Sequence, residues 1–148
     1  MAVRWHELRV GEGPGPREYG PLTRTDFVRY QGASGDFNPI HHDEDFARGA
    51  GFPTVFSVGM LQAGILAGYC AEWLGADNVR RFAVQFREQV WPGDRLVCEA
   101  TVARIVDRGA GDGDGDGDGE RRVELDLLVT RVESGGPAIK GAATFAVP

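Results

Sequence analysis

At 148 residues and 16.0 kDa the chain has the length of one ordinary domain. With 42% hydrophobic and 26% charged residues it is neither disordered nor fibrous, and two cysteines are too few for a disulfide scaffold or a zinc site. A formal charge of −6, four units of it in the Gly-Asp run at 111–119, argues against a nucleic-acid binder and leaves the remaining body nearly neutral.

The opening MAVRWHE carries no apolar segment of the secretory kind. Residues 17–22 allow a short strand. A helix is expected from Thr25-Asp26 to Ser34 with Phe27 and Tyr30 inward, and a second, short one from Asp43 to Arg48. The long helix is expected from Ser57 to Leu74, closed by Gly75. The stretch 52–71 that contains most of it has nearly the apolarity of a membrane span. However, Pro53, Thr54, Ser57 and Gln62 interrupt it and no cationic cluster flanks it. It reads as a core helix of a soluble, cytoplasmic protein with no membrane insertion, its Gly64-x-x-x-Gly68 pair packing closely against a sheet or a second subunit.

From residue 79 onward the period becomes two. Phe82, Val84 and Phe86 share a face in 79–90, and Trp91-Pro92-Gly93-Asp94 is a turn. Leu96, Cys98, Ala100 and Val102 repeat the pattern, as do Val123, Leu125, Leu127 and Val129, and then Ile139, Ala143, Phe145 and Val147. Strands joined by turns imply an antiparallel sheet with one buried face. One long apolar helix and one greasy sheet face have a simple packing solution, an α+β hot-dog fold in which the sheet wraps the helix. The whole of 1–148 is one such domain, with a flexible Asp-Gly hairpin loop at 109–119. That run is not an EF-hand loop, because its twelfth position is Val123 or Leu125 in place of the bidentate Glu.

The segment 33–43, ASGDFNPIHHD, carries the chemistry. Gly35, Asn38 and Pro39 make a stiff, non-helical bend. Across it Asp36 and His41 can point a carboxylate and an imidazole at one small volume, the pairing that general acid–base catalysis needs. Asn38 is placed to fix one of them by hydrogen bonding. His41, His42 and Asp43 lack metal-ligand spacing, so no metal is expected. Asp36, Asn38 and Asp43 also suit turns and caps in their own right. Downstream, Ser57-Val58-Gly59-Met60 opens the long helix. The Gly59 N–H there is a candidate donor to a carbonyl oxygen that gains charge, or Gly59 is small for packing.

These residues resemble the signature of the MaoC-like hydratase/dehydratase family, the (R)-specific enoyl thioester hydratases. Its S-G-D-x-N-P-(I/L/V)-H stretch is matched by Ser34, Gly35, Asp36, Asn38, Pro39, Ile40 and His41. The resemblance extends through Gly59-Met60-Leu61 and the later strands. It implies a hot-dog fold and pairing through the sheets, as a homodimer or as a heteromer with another hot-dog subunit. It also implies addition of water across a trans-2-enoyl thioester, or the reverse dehydration of a (3R)-hydroxyacyl thioester. In that scheme Asp36 and His41 activate water and deliver the proton, Ser34 and Asn38 support them, and the Gly59 N–H holds the oxyanion. No cofactor takes part; coenzyme A or acyl carrier protein is the substrate's handle. Val58 stands where many members have His, which bears on the acyl pocket and on a partner-dependent, non-catalytic alternative. A hot-dog thioesterase is a further alternative, with Gln62 and Glu72 the only polar candidates on the long helix. Ser57 lacks the first Gly of a G-x-S-x-G elbow, that position being Val55.

Overall fold

The computed structural model describes residues 3–107 and 120–148, so the Asp-Gly extension expected at 109–119 lies outside the described residues. Three helices and five strands follow in the order β1 (Arg17–Tyr19), α1 (Arg24–Ser34), α2 (Glu44–Gly49), α3 (Gly59–Leu74), β2 (Val79–Phe86), β3 (Leu96–Val106), β4 (Arg122–Arg131) and β5 (Pro137–Ala146). The strands form one antiparallel sheet in the order β1-β3-β4-β5-β2, and α3 packs on β2, β3 and β5. This is the expected α+β hot-dog arrangement.

The period-two pattern becomes cross-strand rows. Cys98 faces Val129, which faces Ile139; Val102 faces Leu125, which faces Ala143. All six are buried, as are Ala63, Leu66, Tyr69, Cys70 and Leu74 of α3, so sheet and helix share one core. Each fully buried aliphatic side chain there stabilises the fold by about 1.5–3 kcal/mol.

Several expected boundaries move, each for a local reason. The strand read over 79–90 ends at Phe86: Arg87 makes the last rung to Ala138, and the Val90 carbonyl accepts from the Ser57 N–H at 2.8 Å. That same bond keeps Ser57 extended, so α3 begins at Gly59 after Val58 at ψ 120°. Phe86, expected in the core, is 52% exposed because its strand leaves the sheet there. Tyr30 is half-buried while Phe27 is fully buried. Gly64 and Gly68 face open space and do not pack on this chain's sheet; with the exposed Met60 they form a bare face on α3. Among the described residues no helix is long and apolar enough to cross a membrane.

Candidate active site

Helix α1 delivers the bend. Thr23 caps its start in a reciprocal box with Asp26, whose N–H donates to Thr23 Oγ1 at 3.2 Å. Its end turns through Gly35 at φ 75°, a left-handed backbone conformation that a side chain would strain. Just before that end sits Gln31, 2% exposed. Its amide nitrogen donates to the carbonyls of Asp36 (2.8 Å) and Asn38 (3.0 Å), and its oxygen accepts from His42 Nδ1 (3.0 Å). One buried carboxamide therefore staples the bend from inside.

The bend is also self-bonded. Ser34 Oγ accepts from the Asp36 N–H at 3.3 Å, Asp36 Oδ1 from the Asn38 N–H at 3.2 Å, and Asn38 Oδ1 from the Ile40 N–H at 3.1 Å. Pro39 starts a single 3₁₀ turn, Pro39–His41, that carries His41 inward. His41 Nδ1 lies 2.8 Å from the Phe56 carbonyl. A carbonyl only accepts, so Nδ1 carries the hydrogen and Nε2 of the neutral ring keeps its lone pair. Nε2 stands 4.0 Å from Asp36 Oδ2, with the His41 side chain 10% exposed and the Asp36 side chain 46%. The imidazole is thus held from behind while the carboxylate reaches solvent.

A three-membered tie frames this bend. Arg24 at the start of α1 donates to Glu44 Oε2 (2.8 Å) and to Thr54 Oγ1 (2.9 Å), and the Thr54 hydroxyl donates to the same Glu44 oxygen at 2.9 Å. The Thr54 hydroxyl, with Arg24 beside it, holds the Glu44 carboxyl below its ordinary range.

At the start of α3 a cavity of about 290 Å³ is lined by Phe56, Ser57, Gly59 and Gln62 together with residues 86–89. The first turn of a helix leaves its N–H groups without intrahelical partners, and the Gly59 N–H has none among the described residues. A Cβ on Gly59 would come within 3.0 Å of the Phe86 ring, so the missing side chain is what lets that ring lie over the helix start. Asp36 and His41 are not part of this cavity's lining. Phe56 is the link: its carbonyl holds His41, its ring meets the His41 ring edge-on at 5.3 Å, and it lines the cavity.

The structure therefore gathers Ser34, Asp36, Asn38 and His41 in one bend and connects Gly59 to them through Phe56. Sequence reasoning missed Gln31 and Phe56. Gln31 follows the buried Phe27 by four residues, so a polar side chain on the inward helical face was the available signal. The Phe56 contribution is a backbone carbonyl, which no side-chain identity announces. Among the described residues no three His, Cys, Asp or Glu side chains converge as metal ligands would.

Comparison with known proteins follows the same lines. A family model described as MaoC like domain matches residues 7–124. An (R)-specific enoyl-CoA hydratase of Rhodospirillum rubrum is 28% identical over 142 residues, covering 94% of this chain and 89% of that one. The peroxisomal hydratase-dehydrogenase-epimerase of Saccharomyces cerevisiae is 36% identical over 100 residues, which are 68% of this chain and 11% of that one. The chain thus spans about a tenth of the length of the longer curated relatives it matches. In fold it resembles the unliganded R-hydratase PhaJ1 of Pseudomonas aeruginosa, with a TM-score of 0.79, 23% identity, and coverage of 99% of this chain and 86% of that one. The matched region includes Asp36, His41 and Gly59, and the chain belongs to the MaoC-like hydratase and dehydratase family.

Proposed function

We propose that the chain hydrates trans-2-enoyl thioesters of coenzyme A or acyl carrier protein to (3R)-hydroxyacyl thioesters, or runs the reverse dehydration. The observation that carries this reading is the 4.0 Å separation of Asp36 Oδ2 and His41 Nε2, both acceptors in the ionised carboxylate and neutral ring. Two acceptors that far apart can each take one O–H of a single water at about 2.8 Å. The water's own lone pair is then left free to attack.

The steps balance within this set. The water oxygen bonds to the β carbon, its proton passes to one member of the pair, and the double-bond electrons move through the α carbon to the thioester oxygen. The same pair returns a proton to the α carbon as that charge collapses. Positioned acid–base groups contribute about 10²–10⁴ in rate, and a preorganised donor to the oxyanion about 10²–10³. The Gly59 N–H is assigned that second task, with Ser34 and Asn38 holding the bend.

The thioesterase reading needs a free carboxylate near the reacting carbonyl, and Glu88, which lines the cavity, is held by Arg131 at 3.1 Å and Ser134 at 3.3 Å. Glu72 is exposed and pairs with Arg17, and thirteen residues of helix put it about 20 Å from Gly59 along α3. The partner we assign is a second hot-dog subunit, a copy of this chain or a relative, covering the bare face of α3 at Met60, Gly64 and Gly68 beside the open edge of β2. Light scattering of the purified protein reports its mass. The decisive experiment follows loss of the ultraviolet absorbance of a short trans-2-enoyl-CoA and resolves the product's configuration by chiral chromatography. Asp36→Asn and His41→Ala should each slow the reaction by about 10²–10⁴-fold. Turnover by both variants at the parent rate, or a (3S) product, overturns the proposal.

A further inference from the structure

We infer that the Gln62 carboxamide is a second hydrogen-bond donor to the substrate's thioester carbonyl, acting beside the Gly59 N–H. This rests on the hydratase reading above and adds a residue to it. Gln62 is 3% exposed, and a carboxamide so buried is costly unless its polar atoms are used. One end is used: Gln62 Oε1 accepts from Ser57 Oγ at 2.7 Å. The competing contact of that hydroxyl, to the Val58 carbonyl, is 3.4 Å, so its single hydrogen belongs to Gln62. Ser57 is itself pinned by its N–H to the Val90 carbonyl.

The other end is free. Gln62 Nε2 has no protein partner among the described residues, and the residue lines the cavity at the start of α3. What Gln62 offers that cavity is therefore a donor. Gln62 follows Gly59 by three residues, which puts both on one helical face. Helical side chains lean toward the N-terminus, so this one lies back over the turn that holds the unpaired Gly59 N–H. Glu88, the carboxylate in the same lining, is engaged by Arg131 at 3.1 Å and Ser134 at 3.3 Å, so its charge is countered. Two donors on one face of one cavity fit a single oxygen that becomes an oxyanion, whereas the apolar face of a core helix needs no carboxamide.

The test uses the whole protein and the variants Gln62→Met and Ser57→Ala. Gln62→Met keeps the bulk and removes the donor; kcat should fall about 10²-fold with KM changed far less, because the interaction strengthens as charge develops. Ser57→Ala frees the carboxamide to rotate and should give a smaller loss. A second readout needs no turnover: a conjugated dimethylaminocinnamoyl-CoA probe absorbs further to the red when its carbonyl is polarised. Bound to Asp36→Asn, the probe should show that red shift, and adding Gln62→Met should shrink it while binding persists. If the parent protein hydrates an enoyl-CoA but Gln62→Met matches its kcat, or the red shift is unchanged, the inference is overturned and the hydratase reading stands. If the parent hydrates nothing, the hydratase reading falls, and an unshifted probe would dismiss the carboxamide as well. Should Gln62→Met fail to fold, Ser57→Ala decides: unaltered kcat and probe spectrum overturn the role.

Discussion

The His41 ring is tied through Nδ1 to the carbonyl of Phe56 at 2.8 Å, and this one bond decides which nitrogen looks toward Asp36. It also separates two jobs that a simple deletion would confuse. His41→Asn can place an amide N–H where Nδ1–H stood, keeping the Phe56 bond while removing the Nε2 base. We expect near-parent stability in urea and a loss of hydration of about 10²–10⁴-fold. His41→Ala should lose activity to the same degree and stability besides, by about 1–3 kcal/mol, since the half-buried carbonyl loses its donor.

Gln31 tests whether the bend must be stapled from inside. Gln31→Leu keeps the bulk but strands the carbonyls of Asp36 and Asn38 and the ring nitrogen of His42. Each of these hydrogen bonds contributes about 0.5–1.5 kcal/mol, so losing them should lower the unfolding midpoint. Hydration measured well below that midpoint should also fall, as Asp36 loses its register with His41. Parent activity in a folded Gln31→Leu protein would show that the bend holds itself.

The Gly59 N–H can be removed without breaking α3. Proline is tolerated in the first turn of a helix, and Val58 at ψ 120° already has the backbone that a following proline requires. Gly59→Ala is the control, because it brings the Cβ that presses on the Phe86 ring while keeping the N–H. Gly59→Pro should hydrate about 10²–10³-fold more slowly than Gly59→Ala at similar helicity. Equal rates would remove Gly59 from the chemistry.

The Arg24–Glu44–Thr54 tie predicts an acid-dependent loss of stability. The folded Glu44 carboxyl is held below its ordinary value of 4.5, so its contribution is present above that value and fades as the pH falls through and beneath it. Thr54→Val removes the main cause. Urea titrations should show parent and variant differing most at neutral pH and converging as the pH falls below 4.5.

Much of this architecture was legible in the residues. The rows Cys98–Val129–Ile139 and Val102–Leu125–Ala143 follow from alternation, and α3 from its predominant apolarity. The bend was legible because Gly35 permits a left-handed turn, Asn38 favours a turn and Pro39 fixes its own φ. What was not legible is non-local. Ser57 looks like a helix start until the Val90 carbonyl claims its N–H, and Phe86 looks like core until its strand departs from the sheet. The glycines at 64 and 68 read as packing devices, yet nothing among the described residues fills the space beside them. Glu44 and Thr54 lie twenty and thirty residues from Arg24, a distance over which no local pattern speaks.

The position of β5 between β4 and β2 has a consequence for how the protein is made. Among the described residues β2 pairs with β5 alone, which leaves the ribosome about fifty residues later, so the backbone groups of β2 wait unmatched until synthesis has passed Ala146. Until then the nascent sheet has a gap that a strand from a neighbouring polypeptide could fill. Chains stalled before Pro137 should therefore be the ones that chaperones capture and that pellet on centrifugation.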